Sequence, residues 1–346
     1  MSNRVSAEAN TEFRERMDEL LVAVDERLEL DMRFECAGPG CGSPELSRHY
    51  NRLFGRTLLA CYEFDLVDEV GRQLHWLAGV MGRRGFGPAF FGRMLEAWDV
   101  AMVSILPKAA ALELAGPIDD LRRNLGVLVE SAQAAPQLDA EPARFVQLLL
   151  GRERRAAADA ALGRKTPVAG TVSELVLPAL QHIGRLWETG RISVADEHAA
   201  TEICRYVLYR LFDSVEPAPG NGRKALVACV PGEEHELGAE LAAEYLRLKG
   251  WGVFAVGRSA PEEDIVTAVS NYQPDVAFFS VTMIANLPAA GRLVEAALAA
   301  RPGLGIVLGG RAVELAAPRL AGPRVVVVTR FDAADEAGRR LVRRDA

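Results

Sequence analysis

The chain of 346 residues exceeds one ordinary domain, and its 49% hydrophobic and 25% charged residues exclude a disordered or fibrous protein. A formal net charge of −7 argues against a broad nucleic-acid surface, which needs clustered Lys and Arg, so direct nucleic-acid binding is not expected. The start MSNRVSAEANTEFRERMDELL lacks a signal-peptide core, no apolar run reaches the roughly 18–20 residues that span a bilayer, and Cys36, Cys41, Cys61, Cys204 and Cys229 are too scattered for a disulfide framework; a cytoplasmic protein without membrane contact is expected.

Residues 1–148 carry helical patterns almost throughout. In FRERMDELLVAVDERLELD and FDLVDEVGRQLHWLAGVMGRR, apolar positions recur at three and four residues, which lays them on one helix face. ECAGPGCGSPE at 35–45 reads as a loop between helices. A second helical unit is expected at 149–215. There, Thr171 with Glu174 and Ser193 with Asp196 each pair a hydroxyl with an acid three residues on, the pattern of a helix N-cap. Gly190 is placed to end one helix before the next begins. The Pro- and Gly-rich EPAPGNGR at 216–223 marks the clearest domain boundary.

After this boundary the short apolar runs KALVACV, GVFAVG, VAFFSVT, GIVLGG and RVVVVT alternate with amphipathic helices. Continuous apolar strands separated by helices predict a parallel sheet covered on both faces. The predicted class is α + α/β, with an N-terminal helical domain (1–148), a helical bundle (149–215) and a doubly wound, Rossmann-like domain (216–346). Ligands of such sheets gather at the carboxyl ends of the strands. At those ends lie PGEEHELG, Ser280-Val281-Thr282 and Gly309-Gly310.

Taken singly, these are ordinary features, because a lone His is more often a surface or core residue than a ligand and Gly-Gly is usually a turn. In this order, Glu233-x-His235-x-x-Gly238, Ser280 and Gly309-Gly310 resemble the corrinoid-binding pattern of the cobalamin-binding domains. The resemblance implies a cobalamin with His235 as lower axial ligand to cobalt and its nucleotide tail between sheet and helices. The residue types suit that chemistry. A neutral imidazole is a good ligand for a transition metal, and a carboxylate such as Glu233 can accept the other ring N–H. Gly238, Gly309 and Gly310 let the backbone approach a bulky tail, and Ser280 and Thr282 offer hydroxyls to a base or ribose. Many family members have Asp where this chain has Glu233.

Trp187, followed after nine residues by Glu197-His198, resembles the Trp-x9-Glu-His signature of the helical cap in adenosylcobalamin photoreceptors related to MerR regulators. The resemblance implies that 149–215 caps the cobalamin, with Trp187, Glu197 and His198 on its upper face against the adenosyl group. Light then breaks the Co–C bond and changes cap packing and quaternary structure. It also implies His198 as an upper axial ligand after photolysis. Read alone, Trp187 is ordinary core and Glu197-His198 a solvated pair.

Residues 1–148 are too long and too uniformly helical for the winged helix-turn-helix that opens MerR-type regulators. In architecture the chain resembles the photocobilins, which implies biliverdin as a second chromophore. His75 with Trp76, Arg83 with Arg84, and His49 with Tyr50 suit a tetrapyrrole, and Cys36 or Cys41 a thioether. The same residues suit a plain core, and the unit serves equally as a dimerisation or partner-binding bundle. The resulting reading is a non-catalytic, light-dependent adenosylcobalamin switch, a homo-oligomer that signals to an unidentified protein. The alternative is a corrinoid methyl carrier of a methyltransferase system. An adenosylcobalamin-dependent mutase is disfavoured, since it needs a substrate barrel that the helical sequence before 224 does not offer.

Overall fold

The computed structural model describes residues 5–35, 42–130 and 138–343. The chain forms two compact units, Met1–Ala134 with Glu188–Gly190, and Ala135–Trp187 with Arg191–Ala346. The first is helical, with α1 (Ala7–Glu15), α2 (Met17–Glu35), α3 (Pro44–Glu63), α4 (Glu69–Gly82), α5 (Pro88–Ile105) and α6 (Lys108–Glu130). Local signals start these helices. Ser6 Oγ accepts from Ala9 N and Ser43 Oγ from Leu46 N, and Pro44 and Pro88 occupy first turns, where no N–H is needed. Trp98 of α5 centres the core, with Phe13 of α1 and Phe54 of α3 at ring distances of 6.0 and 6.3 Å. A polar chain also crosses it: Trp98 Nε1 donates to Asn51 Oδ1 at 2.8 Å, and Asn51 Nδ2 to Asp25 Oδ1 at 2.7 Å.

The second unit opens with the helical bundle expected as the cap, α7 (Ala140–Leu150), α8 (Arg154–Leu162), α9 (Val168–Thr171), α10 (Leu177–Glu188) and α11 (Val194–Asp213). Phe145, Leu149, Val172, Val176, Ile183, Val207 and Leu211 share its buried core. Ser193 forms the capping box expected of it. Its Oγ accepts from Asp196 N at 3.1 Å, while Asp196 Oδ2 accepts from Ser193 N at 3.2 Å. Thr171, by contrast, caps nothing. The helix has already started at Val168 behind Pro167, whose fixed φ presets the first turn, and the Thr171 hydroxyl meets Thr166 Oγ1 at 2.8 Å. Between α9 and α10, Val172–Val176 form a π turn in which Leu177 N bonds back to Val172 O. Pro178 follows directly. Its ring supplies no N–H and crowds the carbonyl of residue 174 in a regular α-helix, and widening the preceding turn relieves the crowding.

The remainder is the α/β domain: β1 (Lys224–Cys229), α12 (Leu237–Leu248), β2 (Gly252–Gly257), α13 (Glu262–Tyr272), β3 (Val276–Ser280), α14 (Leu287–Ala300), β4 (Gly305–Gly309), α15 (Arg311–Leu320), β5 (Val325–Val328) and α16 (Ala334–Arg343). Among the described residues the strands form one parallel sheet in the order β2-β1-β3-β4-β5. The order reverses between β1 and β3, so their outgoing loops part and leave a crevice at the carboxyl edge. The register aligns Cys229, Ser280, Gly309 and Val328 across that edge. One expectation is corrected here: β2 is an edge strand and is not covered on both faces, and its Phe254 is 41% exposed. The cap belongs to the same unit as the sheet. Leu241 of α12 enters the cap core, and Arg205 of α11 reaches Glu236 at 2.8 Å and Glu240 at 3.1 Å.

Candidate functional site

The loop from β1 to α12 carries Glu233 and His235, and its conformation is fixed by the buried carboxylate. Glu233 Oε1 accepts from His235 N at 3.0 Å and pairs with His235 Nδ1 at 2.6 Å. Glu233 Oε2 accepts from Thr282 N at 2.8 Å, Met283 N at 2.9 Å and Asn286 Nδ2 at 2.9 Å. Burial by itself raises the Glu233 pKa, but the hydrogen bonds from His235, Met283 and Asn286 outweigh it and hold the carboxyl down at about 2. Glu233 is therefore an anion, and His235 Nδ1 must be the donor. The hydrogen bond to Glu233 lifts the His235 pKa above its usual value; burial opposes this, and the charges of Glu233 and Glu197 reinforce it. With Nδ1 engaged, Nε2 is the nitrogen left to bind another group. The His235 side chain is 57% exposed, whereas Glu233 is fully enclosed.

A cavity of about 380 Å³ lies at the carboxyl edge of the sheet, and Gly238, Ser280, Thr282, Gly309 and Gly310 all line it. Gly310 has φ of +107°, and a Cβ there would lie 2.3 Å from Val281 O, so only glycine fits. A Cβ at Gly238 would meet Ser280 Oγ at 3.2 Å. The floor is apolar, with Val227, Phe278 and Val307 from three strands. The cap contributes Ser173, Leu177, Pro178 and Gln181 to the described lining, and not Trp187, Glu197 or His198.

In the first turn of α11, Glu197 Oε2 meets His198 Nδ1 at 2.6 Å, and Glu197 Oε1 accepts from Thr201 Oγ1 at 2.9 Å. The His198 side chain is 74% exposed. The charge of Glu197 reaches His235 and adds to the rise in its pKa. Trp187, at the end of α10, is half-buried.

The tetrapyrrole candidates of the first unit are engaged within the protein. His49 and Tyr50 form an edge-to-face pair at 5.1 Å, Trp76 Nε1 donates to Glu188 Oε1 at 3.0 Å, and Arg84 Nη1 donates to Val80 O at 2.6 Å. The Arg83 side chain fills the space beside Gly190. His75 lies on α4 and is partly exposed. Cys36 and Cys41 lie outside the described residues.

Two family models, each described as a B12 binding domain, match the chain, one over residues 147–211 and the other over residues 223–338. The HTH-type transcriptional repressor CarH of Myxococcus xanthus is 36% identical over 121 residues, which cover 35% of this chain and 39% of the repressor. The repressor CarA of the same organism is 33% identical over 135 residues, covering 39% of this chain and 45% of CarA. The chain carries a B12 binding domain. It spans less than half the length of either repressor. The monomethylamine corrinoid protein of Methanosarcina barkeri is a structural neighbour with a TM-score of 0.49 and 14% identity, covering 58% of this chain and 96% of that one.

The residues of this cobalamin-binding chain fit a corrinoid. One imidazole is locked through Nδ1 to an anionic carboxylate and keeps Nε2 for a metal, and an apolar cavity with a few hydroxyls opens at the same edge of the sheet. Asn286 escapes a reading of the sequence: it lies 53 residues from Glu233, and no local pattern marks an amide before a helix as a carboxylate's partner. Among the described residues no helix is long and apolar enough to cross a membrane.

Proposed function

We propose that the protein is an adenosylcobalamin-dependent light sensor. The observation that carries the reading is the Glu233–His235 pair, which presents an oriented imidazole with Nε2 outward at the mouth of the sheet crevice. His235 would hold the cobalt through Nε2, with Glu233 fixing its tautomer. Gly238, Ser280, Thr282, Gly309 and Gly310 form the wall for the nucleotide tail. Trp187, Glu197 and His198 would lie over the corrin, where His198 would offer a further nitrogen donor. Adenosylcobalamin, when bound, supplies a cobalt–carbon bond that visible light breaks.

In this reading the chain works in three parts: a sensor or interaction domain (1–148), the cap (149–215) and the cobalamin domain (216–346). The cap has two arrangements, and the intact upper ligand biases them through its differential contact with Trp187. The output is a change in self-association or in contact with a cytoplasmic partner protein rather than a catalysed reaction. Biliverdin serves as second chromophore in the N-terminal domain, where His75, Trp76, Arg83, Arg84, His49 and Tyr50 are the candidate contacts.

The test is the absorption spectrum of the full chain loaded with adenosylcobalamin, in darkness and under green light, beside His235→Ala. The wild type is expected to show an alkyl-cobalamin spectrum with a nitrogen lower ligand that converts on illumination. His235→Ala should lose the lower-ligand signature. A far-red band after addition of biliverdin identifies the second chromophore. A spectrum indifferent to light, together with a methylated form that gives its methyl group to a thiol acceptor through a partner enzyme, would replace this reading with that of a methyl carrier.

A further inference from the structure

We propose that the cap also reads the nucleotide tail of the bound corrinoid, through Ser173 of the π turn and Gln181 of α10. This rests on the cobalamin reading above. The cavity that suits the tail has a sheet floor of apolar side chains, a chemistry for a flat heterocyclic base. The tail carries more than a base, because a ribose and a phosphodiester connect it to the corrin and bring hydroxyls and phosphate oxygens. Those groups need polar partners at the wall. The sheet provides Ser280 and Thr282, and the facing cap provides Ser173 and Gln181, set beside Leu177 and Pro178.

The position of the cap pair follows from the irregular helix. Val172, Leu175 and Val176 of the π turn are buried in the bundle core, while Ser173 between them lines the same cavity as Leu177 and Gln181, four and eight residues on. π turns inside helices recur at functional sites because the extra residue re-aims its neighbours. Ser173 is half-buried and Gln181 exposed, so neither is locked in the core and both are able to turn to a ligand. A neutral hydrogen bond is worth about a 3- to 10-fold change in affinity.

The experiment compares the affinity of the full chain for cobalamin and for cobinamide, which carries the same macrocycle without the nucleotide tail. The variants are Ser173→Ala/Gln181→Leu and, as the conservative control, Ser173→Thr. The wild type is expected to prefer cobalamin, and the double variant to lose about 10-fold or more of that preference with cobinamide affinity unchanged. Ser173→Thr should keep the preference, and circular dichroism and the melting temperature should show the variants folded. A preference that survives in the folded double variant overturns the proposal, as does a parallel loss for both corrinoids, which marks a loosened cap. A wild type that binds both corrinoids equally rejects a tail in this cavity altogether. A wild type that binds neither rejects the cobalamin reading itself.

Discussion

Five donors surround the carboxylate of Glu233, two from its own loop and three from the segment after β3. Such a group is expensive to bury and cheap to hold once satisfied, and here its charge orients His235. Asp25 in the N-terminal unit shows the opposite balance. Burial raises its pKa, and the hydrogen bond from Asn51 and the charges of Arg52 and Arg48 only partly offset this. A carboxyl raised in the native state contributes stability that is full below its ordinary value near 3.8 and is lost as pH rises through the native value. Asp25→Asn removes that titration. The melting temperature of Asp25→Asn minus that of the wild type should therefore grow as pH rises from about 4 toward 7 and then level off. A difference that shrinks over the same range would mean that the charged form is the favoured one.

At the scale of elements, the capping box at Ser193 ties chain direction to the candidate site, because the turn it closes carries Glu197 and His198. Removing an N-cap hydroxyl costs about 1 kcal/mol. Ser193→Ala is expected to lose about that much in urea unfolding, whereas Ser193→Asp, which can still accept from the backbone, should lose little; equal stability of Ser193→Ala and wild type would remove the box from the account. This cap was legible because it depends on residues three apart. Thr171 with Glu174 shows the same spacing without the function, since Pro167 and Val168 start the helix earlier. The strands were legible from their apolar runs, but whether a strand lies at the centre or the edge depends on pairing. β2 reads like its neighbours and yet lies exposed. The π turn can be traced to Pro178 once seen, although a proline inside a helix is equally compatible with a kink.

For the whole molecule, the proposed switch predicts a change in size. Protein loaded with adenosylcobalamin should elute at different volumes from a sizing column before and after illumination, and Trp187→Ala should abolish the difference while retaining cobalamin. An elution volume that ignores light in the wild type would confine the photochemistry to the cofactor. Composition, periodicity and the Pro-Gly stretch at 216–223 determined the helical N-terminus, the helical bundle and the parallel α/β domain, because helix and strand periods and turn chemistry are local properties of the chain. The order of Glu233, His235, Gly238, Ser280 and Gly309-Gly310 along the sequence likewise marked the carboxyl edge of the sheet, since each follows or closes an apolar run. Only the tertiary structure decided what those residues touch. Asn286 on Glu233, Leu241 in the cap core, and Ser173 and Gln181 in the cavity wall are brought in by the crossing of distant elements. Contacts at such separations are selected by packing and hydrogen-bond satisfaction of the whole unit, for which no stretch of sequence carries a period.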